Sequence, residues 1–107
     1  MTTVFIVYNA RNADEYEKYL INKKVALVRS QPMIKSYEIY RMDKVLSPTN
    51  DPIPLPYQFV AKIEITDMAA FAKAMQTTEM QAFVKEYRVY LEAENLWTIG
   101  HRIEPSA

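Results

Sequence analysis

His101 is the only histidine in the chain, and so the one side chain able to carry protons near neutral pH without a displaced pKa. Alternation along Asn95-Leu96-Trp97-Thr98-Ile99-Gly100-His101 puts Trp97, Ile99 and His101 on one strand face. An imidazole there reads either as a catalytic base in a pocket or as a partly solvated residue at a fraying strand end. Tyr37 is the second catalytic candidate, a phenol able to give or take a proton at a ligand oxygen. Tyr8, Tyr57, Phe59 and Trp97 are the candidate ligand-binding residues, rings that serve equally well as core packing. Glu38, between Tyr37 and Tyr40, is a buried acid or a strand-edge charge. Arg88 and Arg102 are weaker candidates for steering a carboxylate.

Several chemistries are excluded by composition. Gly100 is the sole glycine, and a dinucleotide fingerprint or phosphate loop needs several. No cysteine is present, which removes disulfides, thiolate nucleophiles and thiolate metal sites. One histidine alone does not make a zinc site, and no acidic run resembles a calcium loop. Asp14, Glu15 and Glu17 fall in the first turn of a predicted helix, where they favour the helix dipole. Lys and Arg number 13, as do Asp and Glu, so no basic footprint for nucleic acid stands out. The opening residues 1–8 lack the basic flank of a signal peptide, and no run approaches the ~20 apolar residues of a membrane helix. A cytoplasmic protein with no membrane or nucleic-acid partner is the expectation.

The elements that must position these residues follow from periodicity. Residues 2–8 are β-branched and aromatic at nearly every position, which predicts a strand covered on both faces. Asn12 with Glu15 makes a capping box that opens a helix to about Ser30. Tyr16, Tyr19, Leu20 and Leu27 lie near one face of it, and Lys23 interrupts the stripe. Residues 34–42 form a second strand. Residues 43–56 contain Pro48, Pro52, Pro54 and Pro56 and form a loop of the kind that often serves as a lid or binding segment. Residues 57–65 alternate cleanly as a third strand. Asp67 caps a short helix through Met75, and Thr78 with Gln81 opens another that carries Met80, Phe83, Val84, Tyr87 and Leu91. Residues 95–103 close the chain as a fourth strand.

The β-α-β-β-α-β order defines an α+β, ferredoxin-like sandwich over residues 1–107, a single domain with helices on one face of an antiparallel sheet. The other face keeps Val60, Leu96 and part of the first strand's apolar set. A second copy of the sheet is the economical cover, so a homodimer is expected.

This order, the Pro-rich connection before Tyr57, the helix face ending in Leu91 and the closing strand through His101 resemble the dimeric α+β barrel superfamily. Within it the chain is most similar to the RedY-like HapK family, associated with prodigiosin-type tripyrrole pigment biosynthesis. The resemblance implies two sheets facing each other in a dimer, and a small aromatic or pyrrole-type ligand between each sheet and its own helices. It implies no cofactor: haem-binding members use a helix histidine, and this chain has none. Two functions are then open. One is a cofactor-free condensation, cyclisation or oxidation in which His101 and Tyr37 move protons. The other is an accessory protein that shields an intermediate or assists enzymes of the same pathway.

Overall fold

The computed structural model describes residues 1–103, without the side chains of residues 93–95. Strand β1 (Thr2–Ala10) lies between β3 (Phe59–Ile65) and β4 (Leu91–Gly100), and β2 (Ile34–Arg41) completes the order β2-β3-β1-β4. Every neighbouring pair is antiparallel. On one face lie α1 (Ala13–Tyr19), α2 (Val25–Arg29), α3 (Met68–Met75) and α4 (Thr78–Arg88). This is the α+β, ferredoxin-like arrangement expected from the hydrophobic periods.

The alternation in β3 is complete, with Phe59, Ala61, Ile63 and Ile65 buried while Val60, Lys62 and Glu64 are only partly covered. Its register places Val4 opposite Ile63, Ile6 opposite Ala61 and Tyr8 opposite Phe59. The buried faces of the two central strands thus form one floor under the helices. In β2 a register shift between Ile34 and Ser36 lets both Ile34 and Tyr37 turn inward, although they are an odd number of residues apart. The Arg29 guanidinium ties α2 to this strand, donating from Nε (3.2 Å) and Nη2 (2.8 Å) to the Tyr37 carbonyl.

Side chains cap α1, α3 and α4 at their N-termini. Asn12 Oδ1 accepts from the Glu15 amide at 3.2 Å, and Asp67 Oδ1 accepts from the Ala70 amide at 3.0 Å. The cap of α4 is Thr77, which accepts from the Met80 amide at 3.2 Å, one residue before the Thr78 expected from the capping-box pattern. Asp67→Ala is expected to cost about 1 kcal/mol of stability in urea unfolding. A loss below about 0.3 kcal/mol would mean that packing alone starts α3.

Leu91, expected at the end of the α4 stripe, is instead the first residue of β4 and is buried there. The ladder between β1 and β4 runs from Ala10 opposite Leu91 to Thr3 opposite Gly100. Gly100 has a structural reason: a Cβ there would stand 3.3 Å from the Phe5 ring, which lies over the bare backbone. The open sheet face carries the cross-strand row Tyr40, Val60, Val7 and Leu96, with Phe5 beside it. Tyr40, Leu96 and Phe5 are exposed on it. Among the described residues no helix is long and apolar enough to cross a membrane.

Candidate functional site

The site depends on an irregularity in the first helix. Between α1 and α2, residues Leu20–Lys24 form a π-helical turn in which the Val25 amide donates to the Leu20 carbonyl, five residues back. Such a turn inserts one extra residue into the helix. In an unbroken α-helix, residues eight apart differ by about 80° around the axis. With one residue absorbed, the same pair behaves as if seven apart, about 20° from eclipsed. Lys24 is therefore brought onto the face of Tyr16 and buried, while Lys23 rotates into solvent and pairs with Glu86 at 2.6 Å.

Lys24 is the only buried charged residue among those described, 8% exposed. Its Nζ donates to the Tyr16 hydroxyl at 2.6 Å, and that hydroxyl lies 2.9 Å from the hydroxyl of Tyr8. Nζ also stands 4.1 Å from the centre of the Tyr87 ring, on α4. Phe59 holds the two phenols from behind. Its ring stacks on Tyr8 (5.6 Å between centres) and meets Tyr16 edge-on at 5.0 Å.

Of this trio, Tyr8 and Lys24 line a cavity of about 220 Å³ between the sheet and its helices, with the fully buried Tyr16 behind them. Ile6, Tyr8, Ala61, Ile63 and Tyr37 provide the sheet side, and Val28, Phe71, Met75, Met80, Phe83, Val84 and Tyr87 the helix side. Trp97 and Arg88 both line it and are exposed, so they stand where it meets solvent. An apolar cavity of about 150 Å³ already admits benzene. This one has room for a substituted ring or two small rings.

Among the described residues no carboxylate lines the cavity, and this governs the charge on Lys24. Burial without a counter-charge penalises the ammonium and brings the Lys24 pKa down to about 7. Burial acts oppositely on the phenols and holds Tyr8, Tyr16 and Tyr37 above their ordinary value, the hydrogen bond with Tyr8 drawing Tyr16 part of the way back. At neutral pH the site therefore combines neutral phenols with an amine that is about half unprotonated. Among the described residues no group of three or more metal-ligating side chains occurs.

Of the residues singled out from sequence, Tyr8, Tyr37 and Trp97 meet at this cavity. Phe59 is buried behind Tyr8, outside the lining. Tyr57 is exposed on the chain leading into β3, and no residue of the loop 43–56 borders the cavity. His101 requires correction. It lies past the end of β4, exposed and outside the cavity lining, where the ladder between β1 and β4 has already closed at Thr3 opposite Gly100. Its expected face-mate Ile99 is 68% exposed although Val4 beside it is buried, so the helices do not reach over that end of β4. Glu38 is a strand-edge charge that accepts from the Tyr40 hydroxyl at 3.0 Å. Lys24, Tyr16 and Tyr87 were not foreseen as functional residues.

Antiparallel order β2-β3-β1-β4 with helices on one face, and a cavity between the layers, defines a protein of the ferredoxin-like α+β class. Residues 2–103 match the model of the family described as REDY-like protein HapK, and the chain belongs to that family. Among solved structures it is similar to HapK from Hahella chejuensis, with TM-score 0.71 and 23% identity over 100% of this chain and 97% of that one. It is also similar to SnoaB, a cofactor-independent oxygenase from Streptomyces nogalater, with TM-score 0.64 and 18% identity over 98% and 96%. A dimeric ferredoxin-like protein of unknown function from Thermobifida fusca gives TM-score 0.64 and 14% identity over 92% and 88%. At these identities the likenesses are of fold. No curated protein matches the chain.

Proposed function

We propose that this is a single-domain biosynthetic protein of prodigiosin-type secondary metabolism that binds one small aromatic or pyrrole-type intermediate and handles it without a cofactor. The observation that carries the reading is the cavity itself: apolar and aromatic on nearly every side, with Lys24 and the phenols of Tyr8, Tyr37 and Tyr87 as its buried polar residues. Ligands of this kind are held by shape and ring contact and oriented by a few convergent polar groups. Tyr37, Tyr8 and Trp97 are the ligand-contacting residues in this reading. The Tyr37 hydroxyl, on a buried ring facing the cavity, is placed to bond a ring nitrogen or oxygen. His101 has no part in it.

A homodimer belongs to the same proposal. The row Tyr40, Val60, Val7 and Leu96 with Phe5 is an apolar surface that one chain's helices leave bare, and a facing second sheet would cover it. The related fold from Thermobifida fusca is described as dimeric.

Trp97 is the only tryptophan, so its fluorescence reports on this site alone. Titration with 2,2′-bipyrrole is expected to change it saturably, and native mass spectrometry to find two chains with one ligand each. Val84→Phe, which narrows the cavity, is expected to weaken binding about tenfold, or about 1.4 kcal/mol. An unsaturable response that Val84→Phe leaves unchanged would overturn the binding site, and a monomer at micromolar concentration would overturn the dimer.

A further inference from the structure

We infer that Lys24 captures an aldehyde-bearing aromatic ligand as an imine, with Tyr16 as the proton donor that completes the step. The inference rests on the cavity being the ligand site, as proposed above, and names the chemical class that the site selects.

Three features carry it. First, Lys24 lines the cavity, and its Nζ stands 4.1 Å from the ring centre of Tyr87, another lining residue, so the amine is at the edge of the ligand space. Second, its surroundings are those of a nucleophilic lysine and not of an ion pair. The titratable and charged groups that face it are Tyr8 on β1, Tyr16 on α1, Tyr37 on β2, and Tyr87 and Arg88 on α4. Among the described residues, the lining contributed by β3, β4 and α3 includes no ionisable group. With no carboxylate among the described lining residues and a guanidinium at the rim, only the Tyr16 hydroxyl and the Tyr8, Tyr16 and Tyr87 ring faces favour the ammonium, and burial outweighs them. A lysine kept here only for packing would be replaced at lower cost by an apolar side chain. Third, the π-helical turn is what brings the amine inside, and local irregularities of this type recur at functional sites.

The chemistry balances without a further reagent. The Nζ lone pair attacks the aldehyde carbon, and a proton moves from nitrogen to the former carbonyl oxygen to give a carbinolamine. Tyr16, 2.6 Å from Nζ and coupled to Tyr8, donates a proton as the C–O bond breaks and water leaves. The second nitrogen proton returns to the Tyr16 oxygen, leaving a neutral imine. One C–N bond forms, one water is released, and nothing is oxidised or reduced. An aldehyde fits better than a ketone because Nζ is crowded by the Tyr16 and Tyr87 rings. The apolar lining keeps water from the imine once formed.

The test treats the full chain at pH 7 with pyrrole-2-carbaldehyde and sodium cyanoborohydride, and maps reduced adducts by peptide mass spectrometry. Trp97 fluorescence in parallel reports whether the probe enters the cavity. Lys24 is expected to be modified at least ~10-fold faster than Lys23 or any other exposed lysine, since an ordinary lysine is neutral in only about 3 molecules in 10,000 at this pH. Tyr16→Phe is expected to slow trapping at Lys24 even at a probe concentration that saturates the Trp97 signal. The mapping is made on the unaltered chain and needs no variant to fold. Saturable binding with Lys24 modified no faster than Lys23 would overturn the imine and leave the ligand site standing. Failure of the probe to bind or modify Lys24 would overturn both.

Discussion

Phe59→Ala is expected to remove about 3–5 kcal/mol of stability, measured as a fall in the urea midpoint at unchanged slope. Phe59 is 1% exposed and lies where the two layers meet, stacked on Tyr8 of the sheet and edge-on to Tyr16 of α1. Truncation opens a cavity among rings fixed by their own hydrogen bond (Tyr8 to Tyr16), so the neighbours have little freedom to collapse into it. Domains of this size are stable by only about 5–15 kcal/mol, so the substitution takes a large share of the total. Phe59→Leu, which refills most of the volume, is expected to recover more than half of the loss. The pair of variants also separates two roles. If Phe59 only braces the trio, Phe59→Leu binds bipyrrole within a few-fold of the unaltered chain. A loss of binding as large as that of Val84→Phe, with stability retained, would instead make Phe59 a ligand contact. A cost for Phe59→Ala below about 1 kcal/mol would show that this end of the core is not closely packed.

The fold was legible wherever a single period ran undisturbed. The alternation of Phe59, Ala61, Ile63 and Ile65 set the face of β3, and the Asp67 cap set the start of α3. From these the layer order followed, and with it the inward placement of Tyr8, Tyr37 and Trp97. What stayed hidden lay where a period is broken by something a linear pattern does not encode. Continued through residue 23, the 3.6-residue stripe from Tyr16 and Leu20 lands on Lys23, which looks like a flaw in an apolar face. The π turn moves the phase by one residue, and Lys24 takes that place instead. Adjacent lysines on an otherwise apolar stripe were the only trace of it in the sequence. His101 failed for the opposite reason. Its alternation with Trp97 and Ile99 is correct as arithmetic, but the ladder with β1 stops at Thr3 opposite Gly100 and Ile99 is already exposed, and alternation encodes neither limit. The Thr78 cap was displaced to Thr77 because adjacent threonines offer the same hydroxyl, and the turn after Met75 decides between them.

The stability of the unaltered chain, relative to Lys24→Met, is expected to rise steeply from about pH 7 to about pH 10. Lys24 has its pKa lowered from 10.5 to about 7 by burial. Below the lower value the residue is protonated in both folded and unfolded chains, and the folded state bears the full cost of a desolvated ammonium. Between the two values the unfolded chain binds a proton that the folded chain does not, so stability climbs with pH. The slope approaches about 1.4 kcal/mol per pH unit near the middle of that range, and the whole shift corresponds to at most roughly 5 kcal/mol. Lys24→Met has no proton to lose. It is therefore expected to be the more stable protein at pH 6 and to lose that advantage by pH 9.5, in urea unfolding followed across the range. Above about pH 10 the sign reverses for both proteins, because burial holds Tyr8, Tyr16 and Tyr37 above the pKa of 10.0 at which they ionise when unfolded. Taking the difference between the two chains removes every titration they share, including that of the tyrosines, to the extent that the substitution leaves those groups in place. A flat difference from pH 6 to pH 9.5 would mean that Lys24 is as well solvated as a surface lysine. The amine would then remain protonated at neutral pH and be unable to attack a carbonyl.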